Sequence, residues 1–342
     1  MKTRIFISVT IAMFFNMAVN ANVWRISNIT GADAHFTSIQ DANDSHLVAQ
    51  GDTLYIEPSS VSYGSATLKK SLVIIGNGYF LDQNPETQAN KNISKTGTIT
   101  FDTGSAGSAI MGCSTGSITI SSSVTNIIIE RNRIEGKISI GSSCSDIVIT
   151  RNYITYSSTS YAIYAGADDI FNLLIYGNYI ENTYTMGNSR AIRLTSPSSS
   201  GLIENIIENN VIYNGVTIEN SEFNNNILRD GTFNATNCSY LNNIGNSDQF
   251  GTENGNQQNV DMFYVFIGDN SEGGTTDGQW QLREGSPAIG AGTNGVDCGM
   301  FDGLYPYILS GIPDIPAIFE YQQVYNNKKQ EVEVTFSVKS NN

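Results

Sequence analysis

Ile149-Thr150-Arg151-Asn152-Tyr153-Ile154 is the stretch that decides the fold. Its form is apolar-x-x-Asn-x-apolar, and the same pattern stands at Ile129 to Ile134, Ile175 to Ile180 and Ile207 to Ile212, around Asn132, Asn178 and Asn210. Weaker copies surround Asn226 and Asn243, and an earlier relative, Ile74 to Tyr79, carries Asn77. Each copy alternates with a period of two, which is a strand signal. A second short strand follows each of the four strong copies: Ile138-Ser139-Ile140, Ile163-Tyr164-Ala165, Ile192-Arg193-Leu194 and Val216-Thr217-Ile218. These read in-out-in, with the middle side chain toward solvent. Units this short cannot bury an apolar face alone. Stacked at the roughly 4.8 Å strand spacing they form a solenoid with a continuous core. A short amide tolerates turn dihedrals and bonds the backbone of the next coil. The series Asn77, Asn132, Asn152, Asn178, Asn210, Asn226 and Asn243 therefore reads as a structural ladder.

Composition agrees with an all-β chain. The 342 residues hold 32 Gly against 7 Pro, and only 15% are charged while 40% are hydrophobic. This excludes a disordered polyelectrolyte. With 18 basic and 32 acidic residues the formal charge is −14, so no broad basic surface awaits nucleic acid. Lys2 and Arg4 precede an apolar run from Ile5 to Val19 that ends in Val19-Asn20-Ala21, the three parts of a secretory signal. Residues 1–21 are thus expected to be removed, giving a secreted, periplasmic or cell-surface protein. No later run is long enough for a membrane helix. Cys113, Cys144, Cys238 and Cys298 are widely spaced and far from the only histidines, His35 and His46. Zinc is disfavoured, while disulfides and buried thiols both remain open.

On these repeats the chain resembles the right-handed parallel β-helix superfamily, the pectate-lyase-like solenoids. Phe36 to Ala42 followed by Gly51 to Pro58 is similar to that family's opening helix and first strand, the helix plugging the end of the solenoid. Thr37 and Gln40 have capping-box spacing for its start. Gly285 to Gly292 and Asp297 to Phe301 are similar to the closing motif of secreted β-helix repeat proteins. The expected organisation is a signal at 1–21 and one β-helix at 22–303, with cap and first coil at 22–58. A C-terminal cap and strand at 304–342 would cover the last coil. Glu331 to Val338 alternates as a half-buried strand.

The superfamily's catalytic signatures are missing. Asp168-Asp169 has no Gly-His-Gly to accompany it and reads as a turn, and the Arg-x-Pro-x-x-Arg of pectate lyases is absent. Asp269 to Gly274 faintly resembles a calcium loop, but Trp280 stands at its twelfth position, so no residue is assigned to Ca²⁺. The longest coils lie between Asn152 and Asn210, with an insertion at Tyr184 to Arg190, and long loops on consecutive coils build binding walls. Tyr153, Tyr164, Tyr179, Glu181, Arg190 and Arg193 are accordingly the candidate groove. Tyr faces stack on sugars and an Arg fork takes a carboxylate. Tyrosines on exposed strands, with the arginines paired to Glu181 or Glu219, are the plainer alternative. Arg131 and Arg151 read as surface. Two functions follow: a non-catalytic glycan-binding or surface-structural protein, or a lyase or other carbohydrate-active enzyme on an acidic polysaccharide.

Overall fold

The computed structural model describes residues 21–166, 169–184, 190–195, 205–268 and 274–339. The signal-like stretch before Ala21, Asp168, the insertion at 185–189 and the calcium-like residues 269–273 lie outside them. The repeat segments form three parallel sheets, of ten, seven and eight strands. The ten-stranded sheet runs from Val23–Ile26 to Ser239–Leu241. The seven-stranded one runs from Ser114–Thr115 to Ile244–Gly245, and the eight-stranded one from Ala66–Leu68 to Phe233–Thr236. Each strand pairs with its counterpart one coil away, as Ile149 does with Ile129 and Ile175. Long parallel sheets visited in rotation are consistent with a parallel β-helix.

Alternation sets what lies inside. Ile127, Ile129, Ile134, Ile138 and Ile140 of one coil are buried, and so are Ile147, Ile149, Ile154, Ile163 and Ala165 of the next. All belong to one apolar cluster shared by the three sheets. Burying each such Ile contributes about 1.5–3 kcal/mol, so the stack of coils is the main source of stability.

The corner between the ten- and seven-stranded sheets holds the asparagines. The Asn152 side-chain oxygen accepts from the Asn132 backbone N–H at 2.9 Å and from its Nδ2 at 3.1 Å, while Asn152 Nδ2 donates to the carbonyls of Ile129 and Thr150. Asn178, Asn210, Asn226 and Asn243 repeat the bond to the preceding coil's backbone, and all six from Asn132 onward are fully buried. Asn77 is not a member. It aligns with Cys113, and Asn132 Oδ1 accepts from the Cys113 N–H, so the thiol interrupts the column. Asn77 instead donates to the Asn92 carbonyl at 2.7 Å and accepts from Ser94 at 2.9 Å. The far end is closed by Asn256, whose Oδ1 accepts from the Asn243 N–H at 2.8 Å. Residues just before the ladder turn left-handed: Arg131 (φ 53°), Arg151 (φ 57°), Gly177, Asn209, Asn225 and Asn242.

Short elements treat the edges. A six-residue helix, Ile39–Asp44, starts one residue later than the capping-box spacing predicts: Ser38, not Thr37, accepts from the Asp41 N–H. Gln40 and Asn43 accept from the backbone N–H groups of Thr67 and Lys69, along the edge strand of the eight-stranded sheet. An otherwise open edge thus has partners.

The chain after the last coil departs from the expected cap. Residues 274–316 double over the outside of the seven-stranded sheet. Residues 275–280 lie against Asn84, Tyr153 and Tyr179, 287–293 reach Gln257 and Asn225 near the last coils, and 293–312 run back toward the first. Thr293 bonds Asn225, Asn209 donates to the Gly299 carbonyl, Leu304 N–H donates to the Tyr176 hydroxyl, and Tyr79 N–H donates to the Ser310 carbonyl. Buried Asp277 pins this strap, accepting from Asn84 (2.9 Å), Tyr307 (3.2 Å) and the Ser310 N–H (2.7 Å). Beneath it lies a second apolar cluster containing Val211, Ile227, Ile244, Ala288, Met300 and Tyr307. Arg131 is not a surface residue either. It is buried, donating to the Ile312 carbonyl and pairing with Asp314 at 2.6 Å and Glu130 at 3.2 Å. The four cysteines are free, and burial pushes the Cys113 and Cys298 thiols up to about 12. Finally, Ala317–Asn326 and Glu331–Lys339 form an antiparallel hairpin whose Val332, Val334, Phe336 and Val338 are exposed rather than half-buried. Among the described residues, no helix is long and apolar enough to cross a membrane.

Candidate functional site

The six groove residues fall on two different sheets. Tyr153, Tyr179 and Glu181 belong to the seven-stranded sheet, while Tyr164 and Arg193 belong to the eight-stranded one, with Arg190 just before it. Tyr153 and Tyr179 do point outward, but the strap covers them, leaving 5% and 1% exposed. Their rings stack with centroids 4.6 Å apart, and Trp280 of the strap stacks on Tyr179 at 4.8 Å. The Tyr153 hydroxyl donates to the Thr276 carbonyl, and Arg229 donates to the Tyr179 hydroxyl while lying 3.9 Å over the Trp280 ring. Burial pushes the Tyr153 phenol up to about 12 and Tyr179 well above its ordinary value. These tyrosines are core, not a sugar platform.

A sequence signal for this was present. The outward column of the seven-stranded sheet reads Arg133, Tyr153, Tyr179, Val211, Ile227, Ile244. It becomes wholly apolar, so pairs such as Val211-Ile212 and Ile227-Leu228 have both faces to bury. Continuous apolar strands of that kind are covered on both sides.

The rest of the groove remains together on the eight-stranded sheet. Its outward column is Thr67, Thr100, Thr119, Ser139, Tyr164, Arg193, Thr217 and Asn234, all partly or fully exposed. Apolar neighbours on either side of each outward residue anchor the strand: Ile163 and Ala165 are buried around Tyr164, and Ile192 and Leu194 around Arg193. Tyr161, which sequence reasoning passed over because it lies outside any strand, stacks on Tyr164 with centroids 5.8 Å apart. Arg193 donates from Nη1 to the Tyr161 hydroxyl at 3.1 Å and from Nε to the Thr195 hydroxyl at 3.2 Å. The hydrogen bond to Tyr161, ahead of any charge effect, raises the Arg193 pKa. Arg190 donates to the Thr159 carbonyl, and its own carbonyl accepts from the Ala162 N–H and from Asn182, so the turn 157–162 is tied to the next coil. The arrangement offers two stacked phenol rings beside a fixed guanidinium, with hydroxyls above and below. It can stack on a sugar ring and hydrogen-bond its oxygens.

A second concavity lies between the strap and the ten-stranded sheet. This groove of about 510 Å³ is lined by Leu174, Ile206, Glu208, Asp302 and Tyr305 among others. Desolvation, and then the nearby Glu222 charge, raise the Glu208 carboxyl, while a bond from Asn225 opposes them. Among the described residues no cation lines it, which does not suit an acidic polymer. A third space, of about 570 Å³, sits between the strap and the hairpin base. Among the described residues, no three His, Cys, Asp or Glu side chains gather as metal ligands. No family model matches the chain, and no curated protein matches its sequence.

Proposed function

We propose that this chain is an exported, right-handed parallel β-helix of the pectate-lyase-like kind that binds glycan on the outer face of its eight-stranded sheet, without catalysis. The helix Ile39–Asp44 serves as the plug of one continuous solenoid. One observation carries the binding reading: this face presents an uncovered polar column without acidic residues, Thr67 to Asn234, with Tyr161, Tyr164 and Arg193 at its middle. Affinity electrophoresis against a panel of neutral and acidic polysaccharides tests it. Retardation by at least one polymer, reduced in Tyr164→Ala and Arg193→Ala, is the expected result. Unretarded migration across the panel overturns the binding reading.

The enzymatic alternative has a specific support. Elimination from a uronate needs a cation on the carboxylate and a group to exchange the proton, and Arg193 lies hydrogen-bonded to the Tyr161 phenol. Ultraviolet absorbance during incubation with uronate polysaccharides, with and without Ca²⁺, separates the two. A steady rise from an unsaturated product establishes a lyase, and a flat trace beside retained binding establishes the non-catalytic protein. Export has its own test: protein recovered outside the cytoplasm is expected to begin at Asn22.

A further inference from the structure

The hairpin of Ala317–Asn326 and Glu331–Lys339 has a core-like sequence in an exposed place. Its register puts Ile318, Tyr321, Gln323 and Tyr325 opposite Val338, Phe336, Val334 and Val332 on one face. Glu320, Gln322, Val324 and Asn326 oppose Ser337, Thr335, Glu333 and Glu331 on the other. The seven apolar side chains of the first face are between 47% and 59% exposed. A two-stranded hairpin is marginal in water alone, and a contiguous apolar face of this size marks an interaction surface. Its base is fixed to the body: the Ala89 N–H donates to the Ile318 carbonyl at 2.8 Å, and Lys339 pairs with Glu86 at 2.7 Å. At that base Ile318 and Tyr321 also line the 570 Å³ cavity, with Ile312, Pro313 and Tyr55, so the apolar surface continues inward.

We propose that this face is a self-association surface, on which the hairpin of a second copy packs. Area is the first argument. Seven half-exposed side chains of this size offer about 600 Å² per copy, hence about 1,200 Å² for a pair, the lower end of stable interfaces. Charge is the second. The face carries no ionisable group besides its two phenols, since Glu320, Glu331 and Glu333 point the other way. Elsewhere a chain of formal charge −14 repels its own copy, and it repels an anionic lipid surface too. The same patch on both partners makes a two-fold pair, two hairpins stacked about 10 Å apart like the halves of a sandwich.

Sedimentation velocity over a concentration series tests this on the purified protein, Phe336→Glu, Tyr325→Glu and, from the opposite face, Thr335→Glu. The wild type is expected to pass from monomer to dimer with rising concentration. Each apolar-face variant weakens the dimer at least about 100-fold, and Thr335→Glu leaves it within about threefold. Equal thermal unfolding of all four shows that the body remains folded. A wild type that stays monomeric overturns the proposal, as does an equal loss in Thr335→Glu. So does a monomer that cosediments with phosphatidylcholine vesicles through the same face, which assigns the surface to lipid instead.

Discussion

The seven- and eight-stranded sheets are built from the same coils with the same alternation, yet their outward columns have opposite fates. On one, Tyr153, Tyr179, Val211 and Ile227 disappear beneath residues 274–316 and become a second core. On the other, Ser139, Tyr164, Arg193 and Thr217 stay at the surface. Sheet position alone therefore does not tell surface from core. The composition of the whole column does, because a face that turns from Arg to Tyr to Ile across successive coils needs a cover, and one that stays Thr, Ser and Arg does not. A tyrosine is ambiguous by itself: Tyr179 and Tyr164 are both outward strand residues, separated by what the chain does a hundred residues later.

The sharpest way to break this comparison is Tyr179→Ala. Stacked between Tyr153 and Trp280, it is expected to lose about 3–5 kcal/mol in denaturant unfolding, as for buried aromatics. A loss below about 1 kcal/mol would mean that the strap rests loosely on the sheet.

Asn152→Ala tests the corner that joins the covered sheet to its neighbour. It removes the acceptor of the buried Asn132 N–H and the donor to two carbonyls, so a loss of about 1–3 kcal/mol is expected from the unfolding midpoint. Asn77→Ala is expected to cost less, since Asn77 stands outside the column and its side chain bonds only Asn92 and Ser94, fewer partners than Asn152 has. Equal costs would dissolve the distinction between ladder and non-ladder asparagines.

Glu208 probes the ten-stranded sheet, whose outer face is only partly under the strap. Desolvation raises its folded pKa above the ordinary 4.5, so the folded state holds this proton more tightly than the unfolded chain does. Stability from this group is full below pH 4.5 and declines as pH rises through the folded value, the reverse of a salt-bridged acid. Glu208→Gln is expected to flatten the pH–stability curve in that mildly acidic window and to be slightly more stable above it. An unchanged curve would place the carboxyl in open water.

Much of this was legible in the sequence. The period of two, the asparagine spacing and the inward isoleucines each report a local rule, and local rules are readable from a window of six residues. The eight-stranded outward column was legible for the same reason. That the seven-stranded face needs a cover could be read from its outward column, but which segment supplies it could not, because the contact between Tyr179 and Trp280 is a tertiary event that no window contains. Asn77 was misread because the repeat matches at Asn77 while its alignment partner in the next coil is Cys113, so the break shows only when coils are counted. The burial of Arg131 was not legible because its partners Ile312 and Asp314 lie on the strap, more than 180 residues later.

Arg193→Ala gives the smallest expected effect and so the most demanding control. Its guanidinium bonds Tyr161 and Thr195 at a partly exposed surface, so folding should change by no more than about 0.5 kcal/mol. The same substitution is expected to weaken glycan retardation, because the fork that holds Tyr161 in place is gone. If instead it lowers stability as much as Tyr179→Ala, the eight-stranded face is structural too. The two sheets would then differ in what covers them but not in what they do.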